Sequence, residues 1–304
     1  MKNATLNYEN TFFLEGTALS GVLSVDGSYN IDYKPINVIG QGFVKQVISS
    51  IPTAELSLSR YLVSNDPILN LTGQQSNFSA VPINAGLYYK NKYFAFQKGY
   101  LKSIGISCSV GEIPQIESSF DVFGNIGPNF NPSGNNYAGS VFVPQVKNIT
   151  ITCRNSTTNR VKDFNINFNN KNLPIYALRS LSPEIPVEVN IVGPIEVETS
   201  FTLDVDDYQT KQLFSDLNSN GVASFTINVN GTILNDLPLT DHNGVTLQAI
   251  NSSVLTDLFS FLKIEDSVPL FNFTNSNAII QSEQVSSSSD DVVGVKLSYK
   301  TYLN

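Results

Sequence analysis

The sequence predicts an all-β protein with few short helices, arranged as two tandem β-sandwich domains over residues 1–145 and 146–304. Three observations carry that prediction. Hydrophobic residues recur with period two, turn-forming residues punctuate the alternating runs, and one strand–proline–strand pattern is written more than once.

The period-two signal is clearest in three places. Phe164, Ile166 and Phe168 alternate with Asn165, Asn167 and Asn169; Ala223, Phe225, Ile227 and Val229 alternate with Ser224, Thr226, Asn228 and Asn230; Val293, Val295, Leu297 and Tyr299 alternate with Gly294, Lys296 and Ser298. Each describes a strand with one face in a core and one in water. The chain holds 35 asparagines, a residue that disfavours helix interiors and favours turns. Asp26-Gly27, Asn220-Gly221, Asn230-Gly231 and Asn243-Gly244 are the expected hairpin turns.

Helical signals are few. Thr210, Leu213, Phe214 and Leu217 form one face of a helix that Asp206 caps and Asn220-Gly221 ends; Leu255, Leu258, Phe259 and Leu262 form a second after Asn251. "SNDPILNL" supports a turn or two. Gly124–Ser140, dense in Gly, Asn and Pro, is expected to be a linker or long loop, with the domain boundary near residue 145. Ser282–Asp291, "SEQVSSSSDD", is expected to be a mobile surface loop.

The repeated pattern occurs as "IPTAELSLSRYLVSNDP" (Ile51–Pro67), "GEIPQIESSFDVFG" (Gly111–Gly124) and "VGPIEVETSFTLDVDD" (Val192–Asp207). In the first, a strand ending "KQVISS" leads to Pro52, an alternating strand and a short helix. In the third, "PVEVNIV" leads to Pro194, an alternating strand and a helix. A proline lacks the N–H that a ladder needs, so each marks a bend or edge from which a strand starts afresh. The shared order points to duplicated domains.

Composition narrows the function classes. A net charge of −8 argues against a site that grips a phosphate backbone. His242, the one histidine, lies in a turn-like "TDHNGV", so the base of a catalytic triad is lacking. "DLNSNG" matches the first half of a calcium loop, but Ile227 stands where the bidentate Glu belongs. Carboxylate pairs exist without tryptophan platforms for sugar, and no phosphate-cradling loop appears. Cys108 and Cys153 alternate in phase with apolar neighbours and are expected to be buried free thiols. The start, "MKNATLNYEN", has no apolar segment of a secretory signal, and no stretch reaches the ~18 apolar residues that span a bilayer. The expectation is a non-enzymatic protein with no cofactor or metal and no membrane partner.

"NLPIYALRSLSPEIPVEVNIVGPIEVETSFTLDV" (Asn172–Val205), "ISCSVGEIPQIESSFDVFG" (Ile106–Gly124) and "GFVKQVISSIPTAELSLSRYLVSNDPIL" resemble segments of bacteriophage tail tube and related virion proteins. The resemblance touches about a third of the chain. It implies two tandem tail-tube-like β-sandwich domains, a ring-shaped β-barrel of six such domains, a homotrimer to supply them, and a virion assembled in the host cytoplasm. The implied partners are further copies of the chain stacked into a tube, other phage tail proteins, and double-stranded DNA passing through the lumen without specific binding. A tail hub, distal-tail or head-tail connector component would share the fold; from another class, a receptor-binding adhesin would also be β-rich and free of catalytic motifs. In a tube, the wet faces of the repeated strands are candidates to line an acidic channel: Glu55 in the first copy, Glu117 and Asp121 in the second, and Glu196, Glu198 and Asp204 in the third, with no Lys or Arg among them on those strands.

Overall fold

The computed structural model describes residues 11–36, 46–49, 53–63, 66–74, 80–89, 92–109, 112–124, 126–128, 131, 136–137, 149–153, 156–177, 185–206, 222–232, 267–288 and 291–303. The protein is nearly all β, with large antiparallel sheets. The first half contains β1 (Thr11–Leu14), β2 (Thr17–Ala18), β3 (Val22–Asn30), β4 (Tyr33–Ile36), β5 (Gln46–Ser49), β6 (Thr53–Tyr61), α1 (Pro67–Gln74), β7 (Ile83–Tyr89), β8 (Lys92–Ser109) and β9 (Gln115–Val122). Two short strands follow, β10 (Ile126–Gly127) and β11 (Asn136–Tyr137). The second half contains β12 (Ile149–Cys153), β13 (Ser156–Thr158), β14 (Val161–Asn169), β15 (Asn172–Ile175), β16 (Glu188–Ile191), β17 (Ile195–Asp204), β18 (Val222–Thr232), β19 (Ser267–Ser288) and β20 (Asp291–Leu303).

The pairing of the first half is repeated in the second. One ladder runs β2–β1–β7–β8 and its counterpart β13–β12–β18–β19; the other runs β3–β6–β9–β8 and its counterpart β14–β17–β20–β19. Each half carries a separate two-stranded hairpin between the first two strands of its second ladder, β4–β5 and β15–β16. In both halves one long strand, β8 or β19, belongs to both ladders. It crosses in β8 at Lys98, whose φ of 57° is left-handed, beside a register shift against β7. Such an irregularity re-aims a strand without ending it.

Residues from both ladders share one buried cluster, the arrangement of a sandwich. In the first half Leu56, Leu58, Ile116 and Phe120 meet a core that includes Phe12, Ile83 and Phe96. In the second, Phe201 and Tyr299 stack at 5.6 Å and both meet Phe225, at 5.7 and 5.2 Å, across the sandwich. Cys108 and Cys153 lie buried and unbridged within this cluster.

Several sequence expectations change. Asp26-Gly27 is no turn: it lies inside β3, opposite Ser57 and Leu56, where a Cβ on Gly27 would come within 3.1 Å of the Phe94 ring. Asn230-Gly231 lies at the end of β18 beside a register shift. Ser282–Ser288 is no free loop but the last third of β19, paired with β20 from Ser282↔Ser298 to Ser288↔Asp291. Within Gly124–Ser140, β10 pairs with β8 and β11 runs parallel to β2, so this stretch is partly stitched to the first sandwich. After β17, Asp204 accepts from the Asp206 N–H at 3.0 Å, and the helix that Asp206 is expected to cap continues outside the described residues. The bodies of both expected second-half helices, the Asn220-Gly221 and Asn243-Gly244 turns, His242, the calcium-like loop before Val222, Pro52 and the boundary near residue 145 lie outside the described residues. Pro114 and Pro194 each immediately precede a strand start, as the proline argument requires.

Candidate functional site

The two halves join edge to edge. β8 pairs with β14 from Ser103↔Asn169 to Ser109↔Asp163, giving one antiparallel sheet in the order β3–β6–β9–β8–β14–β17–β20–β19. Alternation along each strand puts one face of this sheet in the core: Leu58, Phe120, Ile104, Ile106, Phe164, Ile166, Phe201 and Leu297 are essentially inaccessible. The opposite face is polar from strand to strand. One row across it reads Ser24, Ser59, Glu117, Gly105, Asn167, Glu198, Lys300; another reads Ser107, Asn165, Ser200, Ser298, Ser282. Ser103 and Ser119 hydrogen-bond across the face at 2.6 Å, and the Thr202 hydroxyl donates to Asp163 Oδ1 at 3.0 Å. Beside Gly105 a groove of about 400 Å³ opens, lined by Ser59, Ser103, Glu117, Ser119 and Asn167.

Five of the six acidic candidates come together on this face. Glu55 sits opposite Asp121, Glu117 opposite Ser59, Glu196 opposite Asn169 and Glu198 opposite Asn167. Asp204 stands apart: it is buried at the end of β17, bound to Arg160 Nη2 at 2.7 Å and committed to the Asp206 N–H.

The face also carries cations that the strand-by-strand reading did not supply. Lys102 Nζ donates to Glu55 at 2.7 Å and lies 3.7 Å from Asp121. Lys300 contacts Glu196, lies 3.7 Å from Glu198 and stands 5.7 Å from the Tyr302 ring centroid. The hydrogen bond from Lys300 holds the Glu196 carboxyl below its ordinary range, and Glu196 in turn raises Lys300. The bond to Glu55 raises Lys102. Both lysines therefore stay charged at neutral pH, and each is flanked by two carboxylates. The expected unbroken acidic face is instead a face of serine, asparagine and threonine on which each of these lysines is held by an acidic pair. The missed residues share a signal: each lysine lies on a strand adjacent to its acids, at a position set by cross-strand register. Among the described residues, no group of three His, Cys, Asp or Glu side chains is placed to hold a metal ion.

The fold and this face together define a duplicated β-sandwich presenting one continuous polar sheet surface. No family model matches the chain, and no curated protein matches it.

Proposed function

We propose that this chain is a structural virion protein, a phage tail tube subunit whose rings stack into a channel for DNA. The observation that carries the reading is the edge-to-edge union of two sandwiches with one strand order into a single sheet. A sheet that already joins two equivalent units side by side is half-way to a ring of such units, and a homotrimer would supply six. The polar face suits a lumen. Lys102 and Lys300 are engaged by carboxylates, which leaves Lys296 as the exposed lysine of β20 on this face and reduces the cations free to displace DNA's counterions and hold it. The chain's net charge of −8 acts in the same sense. Electron microscopy of the purified protein tests this. Rings or tubes with a central channel and sixfold appearance, built from three chains per ring, are the expected result. Dispersed monomers that bind glycans would replace the proposal with the adhesin reading.

A further inference from the structure

The duplication fixes more than a fold, because the two halves can be aligned residue by residue through their irregularities. The register of β3 on β6 shifts between Val22 and Ser24, and that of β14 on β17 shifts between Val161 and Asp163. The register of β8 on β9 shifts between Leu101 and Ser103, and that of β19 on β20 between Ile280 and Ser282. Counting from these points, β3 residues Ser24 to Asn30 correspond to Asp163 to Asn169, and β19 residues Ser282 to Ser286 correspond to Ser103 to Ser107; a second shift of β19 on β20, between Ser286 and Ser288, has no counterpart in β8 on β9. The two hairpins agree independently: Pro35 faces Val47 as Pro174 faces Val189.

Inside the chain the β8 edge is covered by β14. Among the described residues, β3 pairs with β6 alone, and β19 beyond Ile279 pairs with β20 alone. These are the two ends of the eight-strand sheet, and they are the counterparts of the two edges that already meet. We infer that β19 of one copy pairs antiparallel with β3 of the next in the β8–β14 register: Ser282 opposite Asn30, Gln284 opposite Ser28 and Ser286 opposite Asp26. The partner, a second copy of this chain, rests on the ring proposed above; the edges and register rest on the internal junction.

Exposure supports the pairing. Val285 is 62% exposed although it faces the buried Val295, whereas its counterpart Ile106 is fully buried beneath the internal junction. Val47 and Ile279 are 52% and 46% exposed, whereas their counterparts Val189 and Tyr100 are 3% and 6% exposed, buried in one cluster where the β15–β16 hairpin lies against the first half. The neighbour's β4–β5 hairpin would cover Ile279 in the same way. Opposite Val285 the register puts Gly27, which carries no side chain of its own and is lined by the Phe94 ring. Opposite Glu283, whose Oε2 is buried with no hydrogen-bond partner among the described residues, it puts the exposed Tyr29 and its phenol donor. The polar rungs match in kind, serine or glutamine against serine, asparagine or aspartate, with no like charges opposed. An unpaired edge of this length is a template for another strand. Because donor and acceptor edges differ, the contact is head-to-tail and closes only as a ring.

The test is a cross-strand disulfide. Directly opposed Cα atoms in an antiparallel pair lie ~4.5–5.5 Å apart, within disulfide reach, whereas a two-residue offset gives ~7–8 Å. The full chain carrying Asp26→Cys and Ser286→Cys is assembled and mildly oxidised while Cys108 and Cys153 remain buried. Links between chains through residues 26 and 286, ending at a three-chain band, are expected; the offset pair Ser28→Cys with Ser286→Cys should link at least tenfold less. Val285→Asp should leave the single chain's melting unchanged and abolish assembly. Rings that form without the 26–286 link, or that link equally through the offset pair, would overturn this register while leaving the tube reading standing. Linked chains that never enclose a channel would uphold the pairing and overturn the tube. A Val285→Asp chain that assembles normally would overturn the interface.

Discussion

Arg60 and Asp66 offer the sharpest energetic test of how the first sandwich holds its helix. Both side chains are wholly inaccessible, and Asp66 also accepts the Ile68 N–H at 2.9 Å at the start of α1. Burial pushes the Asp66 carboxyl up and the Arg60 guanidinium down, while each group opposes the shift of the other. Asp66→Asn keeps a capping oxygen and removes the charge, so the guanidinium is left in the core without its counter-ion. The expected cost is about 3–5 kcal/mol, a large share of the ~5–15 kcal/mol that holds a domain folded. Asp66→Ala should cost about 1 kcal/mol more through loss of the cap. The second half shows what relieves the strain of an unpaired cation: the position matching Arg60 is Leu203, which faces Val295 as Arg60 faces Ile116. Arg60→Leu with Asp66→Asn should therefore recover most of the loss, giving a coupling energy of about 3 kcal/mol between the two sites. Urea unfolding followed by circular dichroism reads this as a midpoint lowered by roughly 2 M for Asp66→Asn, with an m value near 2 kcal/mol/M, and largely restored in the double variant. A loss under about 1 kcal/mol for Asp66→Asn, or single costs that simply add, would refute the reasoning. The Arg160–Asp204 pair is the internal control. Arg160 is half exposed, so Arg160→Ala should cost no more than about 1 kcal/mol.

Other outcomes follow from the same geometry. Burial pushes the Cys108 thiol up to about 12, with Glu112 adding to the shift, so a maleimide at pH 8 should leave it unmodified until the chain is denatured. Because its folded value lies above the unfolded one, Cys108 contributes stability that is intact below about pH 9 and lost as pH rises toward about 12; a melting temperature falling across that window checks the sign. Phe201→Ala removes the ring that meets both Tyr299 and Phe225 and should cost about 3–5 kcal/mol in urea unfolding. If the chain lines a tail tube as proposed, replacing Glu196 and Glu198 by Lys should leave assembly intact and slow genome ejection, since Lys300 loses both partners and new cations would face the lumen; ejection at the normal rate would count against the lumen assignment. Hydrogen exchange should find the Ser282–Ser288 amides that do not bond β20 open in the free chain and protected in the assembly.

Much of this fold was legible because alternation is a property of a single strand. Phe164, Ile166 and Phe168, or Ile195 to Leu203, declare their buried face without reference to a neighbour, and "PILNL" after Asp66 supplied the short helix. What was illegible depends on which strand lies alongside. Ser282–Ser288 has one apolar side chain facing the core side, Val285, so its own pattern describes a loop; the β20 ladder makes it a strand. Asp26-Gly27 carries a hairpin signal, but pairing with β6 makes it strand, and the Phe94 ring from another strand lies against the glycine. The lysines of the polar face were invisible for the same reason: Glu55 and Lys102 are 47 residues apart, and only register through β9 and β8 brings them together.

That dependence on register explains why the irregularities matter more than the composition of the strands. A period-two strand slipped by one residue exchanges its core and wet faces, so an uninterrupted ladder of serines and asparagines would be weakly fixed along its length. A bulge removes the ambiguity by allowing one alignment and no other. The halves share two of their bulges at matching points, before Ser24 and Asp163 and before Ser103 and Ser282, while the shift between Ser286 and Ser288 belongs to the second half alone. They therefore preserve the same edge geometry even where side chains have diverged, with Gly27 for Ile166 and Glu283 for Ile104. Sequence drift between the halves then tunes the contacts without altering how one unit meets the next. Under the proposed pairing, a chain whose first unit meets its second through such an edge would carry, at its two ends, the surfaces by which its second unit meets the first unit of another copy.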